Sequence, residues 1–116
     1  MRREQDRLLD ILDAADDVAR FITGLSENGF ASSDLVQSAV RHKLIVIGEA
    51  ATRLSEELRE RHREIPWDQM RGFRNIAVHE YFRVDATTVW TISTRQLPQL
   101  RSQIAAILAR DDTEPG

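Results

Sequence analysis

Residues 70–83 read Met70-Arg71-Gly72-Phe73-Arg74-Asn75-Ile76-Ala77-Val78-His79-Glu80-Tyr81-Phe82-Arg83. Two side-chain types in this segment suit phosphodiester chemistry. An arginine guanidinium offers a rigid fork of donors to a phosphate and to the negative charge that develops on it. A histidine titrates near neutrality, so it can take the proton of a ribose 2′-OH or supply one to a leaving oxygen. Arg74 and His79 are therefore the candidate catalytic pair. Successive helical residues turn by about 100°, so Arg71, Asn75, His79 and Arg83, at i, i+4 spacing, form one slowly drifting polar stripe. Arg74 and Tyr81, seven apart, form a neighbouring stripe. On an unbroken helix His79 lies about 140° around from Arg74. One phosphate meets both only if the helix breaks, if Arg74 curls around, or if two chains each contribute one residue. The last arrangement motivates a dimer.

Other chemistries lack their residues. There is no Cys, which removes disulfides, thiolate zinc sites and thiol nucleophiles. No His-Glu-x-x-His is present, and His79-Glu80 has no second histidine at zinc-ligand spacing. Ala39, Arg59 and Ile76 stand three residues before the three histidines, where a di-iron bundle needs Glu. No Gly-x-Ser-x-Gly elbow exists for a serine hydrolase. The expectation is chemistry without a metal or other cofactor.

Charge is unevenly placed. The 116 residues carry 16 Lys+Arg and 19 Asp+Glu, a net charge of −3, which argues against coating nucleic acid or membranes through bulk positive charge. Residues 59–83 hold six arginines against four carboxylates, +2, while the other 91 residues hold ten cations against fifteen carboxylates, −5. Arg59, Arg61, Arg63, Arg71, Arg74 and Arg83 thus gather around the polar cluster. His42 and His62, each flanked by basic residues, read as exposed histidines on charged helix turns.

The elements that must position these residues are helices. Leu8, Ile11, Leu12, Ala15, Val18, Ala19, Ile22 and Leu25 make an apolar stripe on a first helix over about 4–25, ended by Ser26-Glu27-Asn28-Gly29. Ser33 or Asp34 caps a second over about 35–61, Asp34 and Gln37 having capping-box spacing. Its apolar face carries Leu35, Val36, Ala39, Val40, Leu44, Ile47, Ala51, Leu54 and Leu58. Leu44-Ile45-Val46-Ile47 is apolar all round, so this helix is central or meets a second chain. Gly48 inside it costs about 1 kcal/mol relative to Ala, which points to close backbone contact. Pro66 suits the first turn of a third helix, with Trp67, Met70, Phe73 and Ala77 facing inward. Asp85 reads as the cap of a fourth, carrying Val89, Trp90, Leu97, Leu100, Ile104, Ile107 and Leu108, and Pro98 should kink or divide it. The aromatics Trp67, Trp90, Phe73 and Phe82 read as core. Together these predict an all-α fold, a four- to five-helix up-and-down bundle. Residues 1–110 are expected to form one domain and 111–116 a polar tail. With no apolar run of about 18 residues and an acidic turn soon after Met1, a cytoplasmic protein with no membrane span is expected.

Arg74-Asn75-Ile76-Ala77-Val78-His79-Glu80-Tyr81 resembles the Arg-x4-His-x-Tyr motif of HepT-like toxins in the HEPN superfamily. Ile47-Gly48-Glu49-Ala50, Trp67, Val84-Asp85, Val89-Trp90 and Leu97-Pro98 are similar to that family's flanking pattern, and the likeness spans about residues 34–108. The resemblance implies a metal-independent endoribonuclease toxin of a type II/VII-like toxin–antitoxin module. It implies a HEPN-like bundle that pairs as a homodimer across a shared cleft and takes RNA as substrate. On that pattern Arg74 holds the scissile phosphate and His79 moves the proton, with Asn75 supporting the site. Arg71, Arg83 and Glu49 are further RNA-binding or supporting candidates. The implied partner is a small nucleotidyltransferase antitoxin that transfers adenylate from ATP to Tyr81. The alternative is a catalytically inactive helical binding module that partners and regulates a nucleotidyltransferase, its Arg74 and His79 contacting a nucleotide or that partner.

Overall fold

A computed structural model describes residues 2–78 and 86–111. Along them run α1 (Arg2–Phe21), α2 (Glu27–Ala31), α3 (Asp34–Thr52), α4 (Glu56–Arg61), α5 (Trp67–Val78) and α6 (Ala86–Thr91). A π-helical turn, Ile92–Gln96, joins α6 to α7 (Leu97–Asp111) without interruption. The described residues therefore give the all-α fold expected. Its four long rods are α1, α3, α5 and the continuous helix from Ala86 to Asp111. No helix among them is long and apolar enough to cross a membrane.

The apolar stripes become the core. Leu8, Ile11 and Val18 of α1 are buried with Val40, Leu44 and Ile47 of α3, Met70 and Phe73 of α5, and Ile104 of α7. α3 is central, packing chiefly on α1 and α5 and more lightly on α2 and α6, while α7 packs on α1. α1 and α3 run antiparallel: Lys43 pairs with Asp17 at 2.9 Å, and Glu4 at the far end accepts from Ser55 N–H at 2.7 Å. Trp67 is buried on the core, and Trp90 is half-buried with its ring 5.4 Å from that of Phe30.

Local chemistry moved several boundaries. α1 ends at Phe21, because Gly24 takes a left-handed φ of +78° that turns the chain. Ser26 does not simply end a helix: its hydroxyl accepts from Gly29 N–H at 3.0 Å and caps the short α2, which buries Phe30. Ser33 is the cap of α3, accepting from Val36 N–H at 3.2 Å. Gln37 turns back instead, its amide donating to the carbonyls of Phe30 and Ala31 at 2.9 and 3.0 Å, the orphan acceptors ending α2. Leu35, expected on the apolar face, is 81% exposed in the first turn of α3.

The helix expected over 35–61 is two. Ser55 is extended, caps α4 through Leu58 N–H at 3.0 Å, and gives its own N–H and hydroxyl to the Glu4 carboxylate. His42 is exposed as expected. His62 is not: it is buried at the C-terminus of α4, its carbonyl accepting from Trp67 Nε1 at 3.0 Å. Pro66 stands one residue ahead of α5, and its carbonyl accepts from Met70 N–H at 3.2 Å. The disturbance expected at Pro98 is the π turn just before it, where Leu97 N–H donates to Ile92 O. A proline ring crowds the carbonyl four residues back, and widening the preceding turn relieves that clash. The cap expected at Asp85, the core position expected for Phe82 and the tail beyond residue 111 lie outside the described residues.

Candidate active site

The site is built where α5 crosses α3. A Cβ placed on the buried Gly48 would stand 2.9 Å from Arg74 Cβ, 3.0 Å from Arg74 N and 3.2 Å from Met70 O. Side chains do not pack that closely, so the two backbones meet at a separation that only glycine permits. The close approach expected at Gly48 is present, and Arg74 is what it meets.

The next residue on α3 engages the same side chain. Glu49 Oε1 lies 3.1 Å from Arg74 Nε. Arg74 is 57% exposed and Glu49 40%, so the ion pair lies open to solvent on the crossing rather than within the core. Thr52 Oγ1 donates to Gly48 O at 2.8 Å, holding the last turn of α3. Asn75 follows on the exposed side of α5. Buried Trp67, Met70, Phe73 and Ala77 anchor the opposite face of that helix, as their spacing predicts.

Arg71 behaves differently. It pairs at 3.2 Å with Asp68 within the first turns of α5 and lines a groove of about 470 Å³ with Arg59, Arg63, Glu56 and Glu60. Three arginines there face three carboxylates, so the groove is polar and close to neutral. His79, Tyr81 and Arg83, expected respectively as acid–base group, modification site and RNA contact, lie outside the described residues. The structure thus brings Glu49 and Arg74 together and ties Arg71 to Asp68.

Sequence reasoning placed Glu49 near the site but missed its partner. It also left the role of Gly48 at close backbone contact without saying to what. The available signal was an interior glycine followed by the one carboxylate between Leu35 and Thr52, set in the apolar run from Leu44 to Ala51. The arrangement can do one thing plainly: it presents an exposed guanidinium, fixed at Cβ by packing and at Nε by a carboxylate, to an anionic ligand.

The sequence matches the family described as "Ribonuclease HepT-like" over residues 11–107. It is 33% identical over 100 residues to "Putative RNase MJ1380" of Methanocaldococcus jannaschii, covering 86% of this chain and 92% of that one. It is 30% identical over 102 residues to "Probable ribonuclease HepT" of Thermococcus cleftensis, covering 88% and 93%. With "Putative RNase TTE0752" of Caldanaerobacter subterraneus subsp. tengcongensis it shares 30% over 111 residues, covering 96% and 99%. No solved structure matches. The Arg74 segment lies inside the matched region, the likeness runs nearly end to end, and the chain belongs to the ribonuclease HepT-like family of the HEPN superfamily.

Proposed function

We propose that this ribonuclease is a metal-independent endonuclease toxin that acts on RNA as a homodimer. Arg74 holds the scissile phosphate. His79 takes the proton of the 2′-OH or supplies one to the leaving oxygen. Oriented donors facing the phosphate stabilise the charge that develops as the 2′-oxygen attacks phosphorus and the leaving oxygen departs. Asn75 supports the pair, and Arg71 and Arg83 contact the RNA backbone. The two motif copies of a dimer pool their residues, which answers the 140° separation of Arg74 and His79 on a regular helix. The control is a nucleotidyltransferase antitoxin: the Tyr81 oxygen attacks the α-phosphorus of ATP, pyrophosphate leaves, and the adenylate blocks the cleft by bulk and charge.

The observation that carries this reading is the exposed, seated guanidinium of Arg74 in the motif helix of a ribonuclease-family chain. The test is RNA cleavage in EDTA by wild type, Arg74→Ala and His79→Ala, repeated over a dilution series. Wild type should cut with chelator present. Each variant should lose at least about 100-fold, the usual scale for a lost acid–base or charge-stabilising group. Dilution should lower cleavage faster than in proportion to protein. Activity abolished by chelator, or retained by both variants, would sink the mechanism, and a fully active monomer would remove the pooled site.

A further inference from the structure

We propose that Glu49 is a positioning residue for Arg74, and that Gly48 makes the arrangement possible. This deepens the preceding reading and rests on it, since Arg74 is taken there as the residue that holds the phosphate. An arginine side chain has several rotatable bonds, and an exposed one samples many orientations of its fork. Here both ends of the stem are constrained. The α3–α5 contact at Gly48 fixes the Cβ, at a separation no other residue allows. Glu49 Oε1, 3.1 Å from Nε, fixes the far end. With Nε turned to the carboxylate, the end edge of the guanidinium, carrying its two amino groups, is directed to the ligand.

Two considerations favour orientation over the other uses of Glu49. An ion pair this exposed contributes little to folding, so stability does not account for the carboxylate at this position. A carboxylate beside a phosphate-binding cation also repels RNA, so it is no RNA contact of its own and weakens ground-state binding. Its benefit must then appear where geometry matters most, in the transition state.

The experiment measures kcat and KM for RNA cleavage by wild type, Glu49→Ala and Glu49→Gln. In parallel, the Nε–Hε resonance of Arg74, assigned by its loss in Arg74→Lys, is followed by NMR. Glu49→Ala should lower kcat 10- to 100-fold with KM unchanged or reduced, and should speed solvent exchange of the Arg74 Hε. Glu49→Gln, which keeps an oxygen acceptor for Nε–H, should recover part of both. Unchanged kcat, a higher kcat from relieved repulsion, or an Arg74 Hε that exchanges equally fast in wild type and Glu49→Ala overturns the proposal. If wild type cuts no RNA, the ribonuclease reading falls, and the Hε exchange alone then decides whether Glu49 holds Arg74.

Discussion

Asp17 stands between two cations. Lys43 reaches it from α3 at 2.9 Å and Arg20 from the next turn of its own helix, and their hydrogen bonds hold its carboxyl below the ordinary value of 3.8. A carboxyl whose pKa is depressed by folding adds stability above its unfolded pKa and loses it as pH falls through the folded value. The melting temperature of wild type should therefore exceed that of Asp17→Asn at pH 7, and the gap should close as pH drops below about 3.8. Thermal melts of the two proteins between pH 7 and 2.5 check this, and a gap that persists at the acid end would refute it. The pairing itself was not legible in the sequence. Asp10, Asp13, Asp16 and Asp17 looked alike on the polar side of α1, and only the register of α1 against α3 picks out Asp17 for Lys43. Glu49 is the same case at the candidate site: residue type and helix position were readable, its partner 25 residues away was not.

At the scale of elements, the crossing of α3 and α5 turns on one missing side chain. In an isolated helix Gly48→Ala would gain about 1 kcal/mol of propensity. In this fold the added methyl meets Arg74 Cβ at 2.9 Å and backbone at 3.0 Å, so α5 must shift. Overpacking of that kind costs about 1–3 kcal/mol and should outweigh the gain. A net loss of about 1 kcal/mol should lower the melting temperature by about 4 °C. RNA cleavage should fall as well, since Arg74 moves with its helix, and a more stable Gly48→Ala protein would contradict the close approach. Long rods were readable because periodic apolar residues report burial whatever they pack on: Leu8 to Val18, Val40 to Ile47, and Trp67 to Ala77. The short helices were not. α2 exists because Phe30 is buried and Gln37 satisfies its last carbonyls, and α4 starts where Glu4 ties Ser55, 51 residues away. Glu4 is far off in sequence, and Gln37, though near, carries capping-box spacing to Asp34, so local pattern points to neither contact.

For the whole molecule, Arg74 belongs to an arginine-rich segment of charge +2 in a sequence whose remainder sums to −5, a distribution that suits the brief grip on one phosphate proposed for it. The polar ties that hold the scaffold together also differ in reach. Asp17–Lys43 spans 26 residues, Glu4–Ser55 spans 51 and Asp16–Arg101 spans 85. The shortest of these loops lies inside both longer ones, and closing a flexible loop costs only about 0.6 kcal/mol more per doubling of its length. Once the shortest is closed, each longer one is already partly closed. The antiparallel α1–α3 pair can therefore zip from its turn outward, and α7, the most distant partner of α1, docks late. Stopped-flow refolding should show Leu44→Ala mainly slowing folding and Ile104→Ala mainly speeding unfolding. The reverse pattern would put α7 in the nucleus. In the order of events, then, the clasp of the first and third helices sets the pace, and the helix from Leu97 to Asp111 is the last part fastened and the first to come undone.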